Sequence, residues 1–210
     1  IQAQAAPRPQ DLQPLVGELT LRRGRVHELC GPARVRLAAL VMAKSDGPVV
    51  WVRAGWASDR VSAAGLQGMA NPARLIFAEA ARDEGLLWAM EEALRSGAAP
   101  LVVAELLAPP GLTPIRRLHL AAEAGAEAAR RDGAMAPLGL VLLPGAGGAA
   151  GVESRWHLAP APSPRLLWSE GEHWRLTRLR ARLAPPAAWR LLRTGRNEAL
   201  DPLPMDDGPG

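Results

Sequence analysis

The chain has 210 residues, a length that suits one domain, or one domain with a small appendage, and that can bury a substantial core. The 25 basic residues outweigh the 21 acidic residues by a net charge of only +4, which is a weak signal for a nucleic-acid partner. Lys44 is the only lysine, and the four residues before it contain no glycine. Ordinary phosphate-loop catalysis, which needs G-x-x-x-x-G-K-[ST], is therefore excluded.

Cys30 is the only cysteine, so an internal disulfide or a cysteine zinc cluster is excluded, and a reducing compartment fits best. The histidines show no spacing typical of metal ligands, and no cofactor is expected. The sequence shows no signal peptide and no apolar run of about 18 residues, the length that a membrane span requires. These features together predict a cytoplasmic protein.

The first half of the chain predicts strands separated by helices. Residues 1–19 are rich in Gln, Ala and Pro, so residues 1–23 are predicted to form a loose arm with a short helix near Asp11–Leu19. A strand over residues 25–30 is followed by the turn Gly31-Pro32 and by a helix over residues 33–44. Near-continuous apolar runs then predict strands buried on both faces, over residues 48–53 and 75–78.

The middle of the chain continues this alternation. Asp83 is a plausible N-cap of a helix that runs through Ser96 and stops at Gly97. A buried strand over residues 101–104 precedes a helix capped by Thr113, in which Gly125 weakens the prediction of the second half. Residues 138–143 predict a fourth apolar strand.

The pattern changes after this strand. The glycine-rich segment 144–151 predicts a flexible connector. Residues 152–158 and 173–183 alternate as half-exposed antiparallel strands do, with a bulge near Thr177, and Trp189–Leu192 adds a last strand. The sequence therefore predicts a three-layer α/β core with a mixed sheet over residues 24–160, a β-rich extension over 161–200 and a disordered tail over 201–210.

The order of these parts resembles the RecA recombinase core, from about Gly24 to Leu158. A more specific resemblance is to the ImuA family, the RecA-like accessory proteins of the bacterial inducible mutagenesis cassette. The stretches that carry it are Gly24–Pro32, Trp88–Glu105, Pro110–Glu123 and Gly151–Trp156. The resemblance implies a RecA-like core with a mostly parallel central sheet that antiparallel strands extend on the C-terminal side.

The resemblance also implies a function, which neither composition nor periodicity indicates. That function is a role in SOS-induced mutagenesis and error-prone translesion synthesis past damaged DNA. The implied partners are a Y-family-like polymerase protein and the error-prone replicative-type polymerase of the same cassette, with RecA itself as a further candidate. Contact with DNA would be indirect.

In the RecA core, the Gly-Pro turn opens a phosphate loop that holds nucleotide. Here Gly31 and Pro32 lead into Arg34 and Arg36, without the lysine and hydroxyl residue of a working loop. By the same resemblance, Gly55 replaces the glutamate that activates water and Ala104 replaces the metal-supporting aspartate. The sequence thus predicts a vestigial nucleotide site and no enzymatic activity. A divergent NTPase that uses arginines in place of lysine is the alternative.

The C-terminal arginines and tryptophans are the remaining candidates for a contact surface. Arg and Trp are enriched in protein-binding hot spots, and arginine beside aromatic rings also suits single-stranded nucleic acid. Direct single-stranded DNA binding is therefore a second alternative, and tryptophans that merely cover a sheet edge are a third. The residues of this region are Trp168, Trp174 and Trp189 among Arg165, Arg175, Arg178, Arg180, Arg182, Arg190 and Arg193. The candidate contact residues among them are Trp174, Arg178, Arg180, Arg182 and Trp189.

Overall fold

The computed structural model describes residues 8–57, 60–162, 172–193 and 201–205, with the backbone alone for Arg193 and Asp201. In chain order, the strands are β1 (Leu12–Val16), β2 (Leu19–Arg22), β3 (Val26–Cys30), β4 (Val49–Ala54), β5 (Leu75–Ala80), β6 (Leu101–Glu105), β7 (Leu138–Leu143), β8 (Ser154–Pro160), β9 (Glu172–Ala181), β10 (Ala187–Arg193) and β11 (Asp201–Pro204). The α-helices are α1 (Arg34–Ala43), α2 (Ala63–Leu66), α3 (Asp83–Ser96) and α4 (Leu112–Arg131).

The central sheet has the strand order β11-β10-β9-β8-β3-β7-β6-β4-β5. From β5 to β8 each neighbouring pair is parallel, whereas β9, β10 and β11 join antiparallel to the strands before them. The predicted fold class is confirmed: a three-layer α/β fold with a mostly parallel sheet that antiparallel strands extend on the C-terminal side.

Helices cover both faces of the parallel strands, which explains why these strands are continuously apolar. In β7 every residue is buried. Leu140 and Leu142 belong to the core beneath α1, whereas Val141 and Leu143 belong to the core beneath α3 and α4. The two cores therefore lie on opposite faces of one sheet, as the period-two alternation of side chains requires.

The N-terminal segment forms a hairpin, so the helix predicted near Asp11–Leu19 is wrong. β1 and β2 pair antiparallel around Gly17, whose φ of +53° favours glycine. The buried Gln13 amide donates hydrogen bonds to the carbonyls of Val41 and Lys44, at 3.4 and 2.9 Å, near the end of α1. A prediction based on the content of Gln, Ala and Pro takes no account of tertiary contacts of this kind.

The guanidinium of Arg23 fixes the far end of this hairpin. It is buried and donates to the carbonyls of Pro100 and Ala136, both at 3.0 Å, and to the side chain of Gln13. Burial lowers the pKa of Arg23. The hairpin is thus tied both to α1 and to the loops that precede β6 and β7.

The two long helices end and begin close to the predicted positions. α3 stops at Gly97, which has a φ of +68°, as predicted. Arg82 rather than Asp83 occupies the N-cap of α3, and Gly111 rather than Thr113 occupies that of α4, so both predicted caps are wrong. α4 continues past Gly125 to Arg131. A residue without a side chain is needed at Gly125, because a Cβ there would lie 1.9 Å from the carbonyl oxygen of Leu94 on α3.

The C-terminal strands differ from prediction in two respects. β8 pairs parallel with β3 and antiparallel with β9, so it lies inside the sheet and is not a purely antiparallel, half-exposed strand. Asp201–Pro204 form β11 next to β10, within the segment predicted as a disordered tail. The predicted bulge is confirmed close to its expected place, because the register with β8 shifts between Arg178 and Arg180 and leaves Leu179 unpaired.

A chain of buried hydrogen bonds connects β2, β3 and β8 through His27. Its Nε2 lies 2.9 Å from the carbonyl oxygen of Arg22, which can only accept, so Nε2 carries the proton. Its Nδ1, 2.6 Å from the Ser154 hydroxyl, therefore accepts, and Ser154 accepts in turn from the Trp156 indole at 2.7 Å. Burial lowers the pKa of His27 to about 4.

This pKa predicts a specific loss of stability in acid. Above pH 6.5 His27 is neutral in both states, but between pH 6.5 and 4 only the unfolded chain binds the proton. The free energy of unfolding should fall by up to about 1.4 kcal/mol per pH unit, or about 3 kcal/mol over the whole window. Urea titrations at pH 7 and 4.5 should show a smaller loss for His27→Gln than for the wild type. Equal losses in the two proteins would contradict the assignment.

Candidate functional site

The Gly31-Pro32 turn, the predicted vestigial phosphate loop, lies between the end of β3 and the start of α1. Gly31 has a φ of +92°, and a Cβ there would clash with Leu158 and His157 of β8. The Ala33 N–H donates to the Leu158 carbonyl at 3.1 Å, and the Arg34 N–H donates to the Gly31 carbonyl at 3.3 Å. These two amides are therefore engaged by the protein itself and do not form part of a phosphate cradle.

The two arginines after the turn also make contacts inside the protein. The Arg34 guanidinium donates to the carbonyl of Gly31 at 3.3 Å. Arg36 forms an ion pair with Glu172 and lies over the ring of Trp174, 4.6 Å from its centroid. The structure thus brings the predicted loop residue Arg36 together with the predicted contact residue Trp174. Sequence analysis missed Glu172, which pairs with Arg36 across 136 positions of sequence.

A cavity of about 430 Å³ lies beside this turn, at the carboxyl ends of β3 and β6. In α/β sheets this edge is where ligands commonly bind. Its wall is partly apolar and partly polar, and the polar part consists of Arg34, Arg36, Arg60, Ser62 and Glu105. The Glu105 carboxylate accepts a hydrogen bond of 2.5 Å from the Trp51 indole, and Arg60 lies 3.4 Å from Glu79. The cavity could hold a small ligand or a partner's side chain.

Of the two residues predicted to replace the catalytic carboxylates, Gly55 directly follows β4 and Ala104 lies in β6. Ala104 packs in the core beneath α3 and α4, whereas its neighbour Glu105 lines the cavity. Arg53 pairs with Glu79 at 2.7 Å and lies over Phe77, 4.1 Å from the ring centroid. The hydrogen bond from Arg53 lowers the pKa of Glu79. Arg53 thus belongs to the β5 edge of the sheet.

The C-terminal candidates are divided between the two faces of the sheet. Trp189 and Arg178 lie on the face shared with α1 and the hairpin, where the Arg178 guanidinium is 5.2 Å from the Trp189 centroid. Trp156 stacks against Trp189 at a centroid distance of 5.7 Å. Arg178 also donates to the carbonyl of Pro185 at 2.9 Å, and burial lowers its pKa. This group packs as part of the protein's own structure.

The other two candidate arginines lie elsewhere. Arg180 pairs in register with Arg155 and so lies on the opposite face from Arg178, because the bulge at Leu179 shifts the alternation. Arg182 follows β9, with its Nε 3.7 Å from a carboxylate oxygen of Glu153. The five predicted contact residues therefore do not form one continuous patch. Trp168 and Arg165 lie outside the described residues.

The glycine-rich loop is held in place by a buried carboxylate, so the prediction of a flexible connector is wrong. Glu28 of β3 is fully buried and accepts hydrogen bonds from the amides of Gly148 and Ala149 at 2.7 and 3.0 Å. The Arg155 guanidinium donates to Glu28 at 2.7 Å and to the Ala149 carbonyl at 2.9 Å. A carboxylate among Val26, Leu29 and Cys30 of a predicted strand was the signal in the sequence that could have revealed this contact.

The Cys30 thiol is buried, as predicted for an inert cysteine, and donates to the Trp156 carbonyl at 3.5 Å. Burial, reinforced by the charge of Glu28, raises its pKa to about 12. A thiol with this pKa is a poor nucleophile at neutral pH. Over the described ranges, no group of three or more His, Cys, Asp or Glu residues could hold a metal ion. None of the described helices is long and apolar enough to cross a membrane.

Comparison with known proteins identifies no family for this chain. No family model matches the sequence, and no curated protein matches it. Among solved structures, SulA from Pseudomonas aeruginosa is similar at 22% sequence identity and a TM-score of 0.44. The alignment covers 57% of this chain and 98% of the SulA chain. A similarity at this level supports no argument about function, so the resemblance to RecA and the ImuA family remains an expectation from sequence.

Proposed function

We propose that this chain is a non-catalytic accessory protein of damage-induced mutagenic DNA synthesis, which acts by docking to a Y-family-like polymerase protein. The resemblance to the ImuA family supplies the biological setting, including the SOS response and the error-prone polymerase as a further partner. RecA is an additional candidate partner. The structural support concerns the mode of action, which is binding rather than catalysis.

The first support comes from the region of the vestigial phosphate loop. The backbone amides of Ala33 and Arg34 donate to the carbonyls of Leu158 and Gly31. Arg36 forms an ion pair with Glu172 and lies over the ring of Trp174. A phosphate cradle requires backbone amides and cations that point at the ligand. Both groups serve the packing of α1 against β8 and β9 instead, which favours a scaffold over a nucleotide-dependent enzyme.

The observation that carries the proposal is the uncovered edge of the sheet at β5. Among the strands that the structure describes, β5 pairs with β4 alone, and two of its large side chains are exposed, Ile76 at 54% and Phe77 at 41%. Natural proteins protect edge strands with charges, prolines or covering elements, because an apolar edge pairs readily with another chain. An exposed apolar edge of this kind is suited to docking an extended segment of a partner.

The double substitution Ile76→Thr/Phe77→Thr tests this proposal. It keeps β propensity at the edge but removes the exposed apolar area. With the purified Y-family-like polymerase protein immobilised, biolayer interferometry should show at least about tenfold weaker binding than for the wild type. Leu120→Gln, which alters another exposed apolar residue on α4, should change the affinity less than about twofold.

Each result of this measurement bears on a separate part of the proposal. Equal binding by the wild type and the edge variant would show that β5 is not the docking surface. Absence of binding by the wild type, with both proteins folded, would contradict the proposed function itself.

A divergent NTPase is the second candidate, and the cavity beside the turn is the observation in its favour. Arg34 and Arg60 line a space large enough for part of a nucleotide. Titration of fluorescent ATP with Mg²⁺ against the purified chain distinguishes the two functions. The docking proposal expects no saturable binding, and tight saturable binding would favour the NTPase.

A further inference from the structure

The central sheet has two edge strands, β5 and β11, which differ in how well they are protected. β11 contains Pro202 and Pro204, which lack the N–H group that a neighbouring strand needs. β5 contains no proline. Contacts from β5 to β11 would join copies of the chain into an open ribbon, whereas a contact from β5 to β5 closes after two copies. The β5 edge is therefore the one that is suited to self-pairing.

The backbone of β5 presents alternate residues to its open side. The Ala80 carbonyl accepts from the Gly55 amide at 3.0 Å, so Ala80 faces β4. Both backbone groups of a strand residue point to one side, and those of the next residue point to the other, so Leu75, Phe77 and Glu79 face outward. The Leu75 N–H donates within the turn that precedes β5. In the described part of the chain, the Leu75 carbonyl and both backbone groups of Phe77 and Glu79 have no hydrogen-bond partner.

We propose that the β5 edge pairs antiparallel with the same edge of a second copy of this chain, about a two-fold axis through Phe77. The two Phe77 residues then exchange both backbone hydrogen bonds, and each Glu79 N–H donates to the Leu75 carbonyl of the other copy. An axis through Ile76 would lose the bonds of Glu79. An axis through Ala78 would set each Phe77 ring against a Glu79 carboxylate. The axis through Phe77 engages Glu79 and also brings the two rings together.

The side chains of the edge fit this arrangement. The exposed Ile76 lies opposite Ala78 of the second copy, so a large residue meets a small one. The two exposed Phe77 rings meet on the other face, and aromatic pairs of this kind stabilise antiparallel strands. The charges nearest to the axis are already paired within each copy, because Arg53 binds Glu79 at 2.7 Å. Self-pairing thus covers the apolar residues of the edge without placing like charges opposite each other.

The surface that pairs with itself is the one that docks the polymerase protein under the proposed function, on which the regulatory part of this inference rests. The two contacts exclude each other, because one row of backbone groups serves a single neighbouring strand. The dimer is therefore the resting form of the chain, and docking requires its dissociation. A joined edge buries little area, so the dimer is weak enough to dissociate.

Sedimentation equilibrium of the purified chain alone, from about 2 to 200 µM, tests self-pairing. The wild type should approach twice the monomer mass at the highest concentration. Ile76→Thr/Phe77→Thr should remain monomeric, whereas Leu120→Gln, which alters an exposed apolar residue of α4, should dimerise like the wild type. A monomeric wild type over the whole range would refute self-pairing and leave the docking proposal intact. A dimer that persists in the edge variant would also refute self-pairing at β5.

Disulfide formation tests the position of the axis. Ile76 and Ala78 of the second copy form a non-hydrogen-bonded pair with Cα atoms about 4.5 Å apart, a separation that a disulfide can span. A mixture of Ile76→Cys and Ala78→Cys proteins should form the mixed disulfide at least about fivefold faster than either variant alone forms its own. The native Cys30 is buried and does not compete. Equal rates for the mixture and the single variants would refute an axis through Phe77.

Addition of the polymerase protein tests the regulatory part separately. Light scattering after size-exclusion chromatography should show a one-to-one complex and loss of the dimer. A complex that contains two copies of this chain would refute competition at the edge. Failure of the polymerase protein to bind, beside an intact wild-type dimer, would contradict the proposed function and with it the competition, while self-pairing would stand.

Discussion

Replacement of Glu28 by Gln is expected to lower the free energy of unfolding by about 3 to 5 kcal/mol, the cost of breaking a buried ion pair from one side. The fully buried carboxylate accepts from two loop amides and from Arg155, whose side chain is only 19% exposed. A glutamine can accept through only one oxygen, and its NH₂ group would face other donors. According to which side the NH₂ group faces, either the Gly148 amide or the Ala149 amide together with Arg155 would lose its acceptor.

Chemical denaturation monitored by tryptophan fluorescence measures this effect. Glu92→Gln is the control, because Glu92 is an exposed partner of Arg95 on α3 and should cost less than about 0.5 kcal/mol. In the folded variant, hydrogen exchange at the Gly148 and Ala149 amides should also accelerate. A Glu28→Gln protein as stable as the wild type, with unchanged exchange at these amides, would contradict the role assigned to Glu28.

Replacement of Gly125 by Ala is expected to cost about 3 kcal/mol or more, at the upper end of the cost of overpacking. The new Cβ would lie 1.9 Å from the Leu94 carbonyl oxygen, which is backbone and cannot rotate away. α3 and α4 would have to separate, which would open the core that they share with the parallel strands. For a domain of this size the melting temperature should fall by about 6 to 12 °C.

Gly65→Ala provides a matched control in another helix. Gly65 lies in α2, where the new Cβ would lie 3.7 Å from its nearest neighbour, the Ser62 side chain, which is an ordinary contact distance. Alanine is the better helix former, so this variant should be as stable as the wild type or slightly more so. Equal melting temperatures for Gly125→Ala and Gly65→Ala would show that the close approach of α3 and α4 is not required.

The parallel core could be predicted because its strands depend on local patterns. β7 is a continuous apolar run that is buried throughout, and its predicted bounds, Leu138–Leu143, are those observed. α3 stops at Gly97, where a left-handed residue is required. Burial on both faces imposes such patterns on the sequence, whatever the strand order.

The N-terminal hairpin could not be predicted in the same way. β1 and β2 are stabilised by contacts distant in sequence, such as the hydrogen bonds from Gln13 to the end of α1 and from Arg23 to Pro100. The sequence does not show which loop the carboxylate of Glu28 holds, because residues 144–151 lie more than 100 positions away from it. Glycine content indicates which backbone conformations are accessible but not whether a distant side chain selects one of them.

The candidate contact residues show how one unpaired residue changes a surface. Strict alternation along β9 would place Arg178, Arg180 and Arg182 on one face. The bulge at Leu179 instead leaves Arg178 against Trp189 and places Arg180 on the opposite face. The sequence predicts a bulge near Thr177, but its consequence for the arginines depends on the residue that it leaves unpaired.

The proposed docking function is tested most directly by affinity purification of the tagged chain from cells after DNA damage. The account predicts that the Y-family-like polymerase protein is retained by the wild type and lost with Ile76→Thr/Phe77→Thr. Leu120→Gln should retain it, because this exposed residue lies on α4, away from the β5 edge. Failure of the wild-type chain to retain this polymerase protein, when it is confirmed to be present in the lysate, would contradict the account.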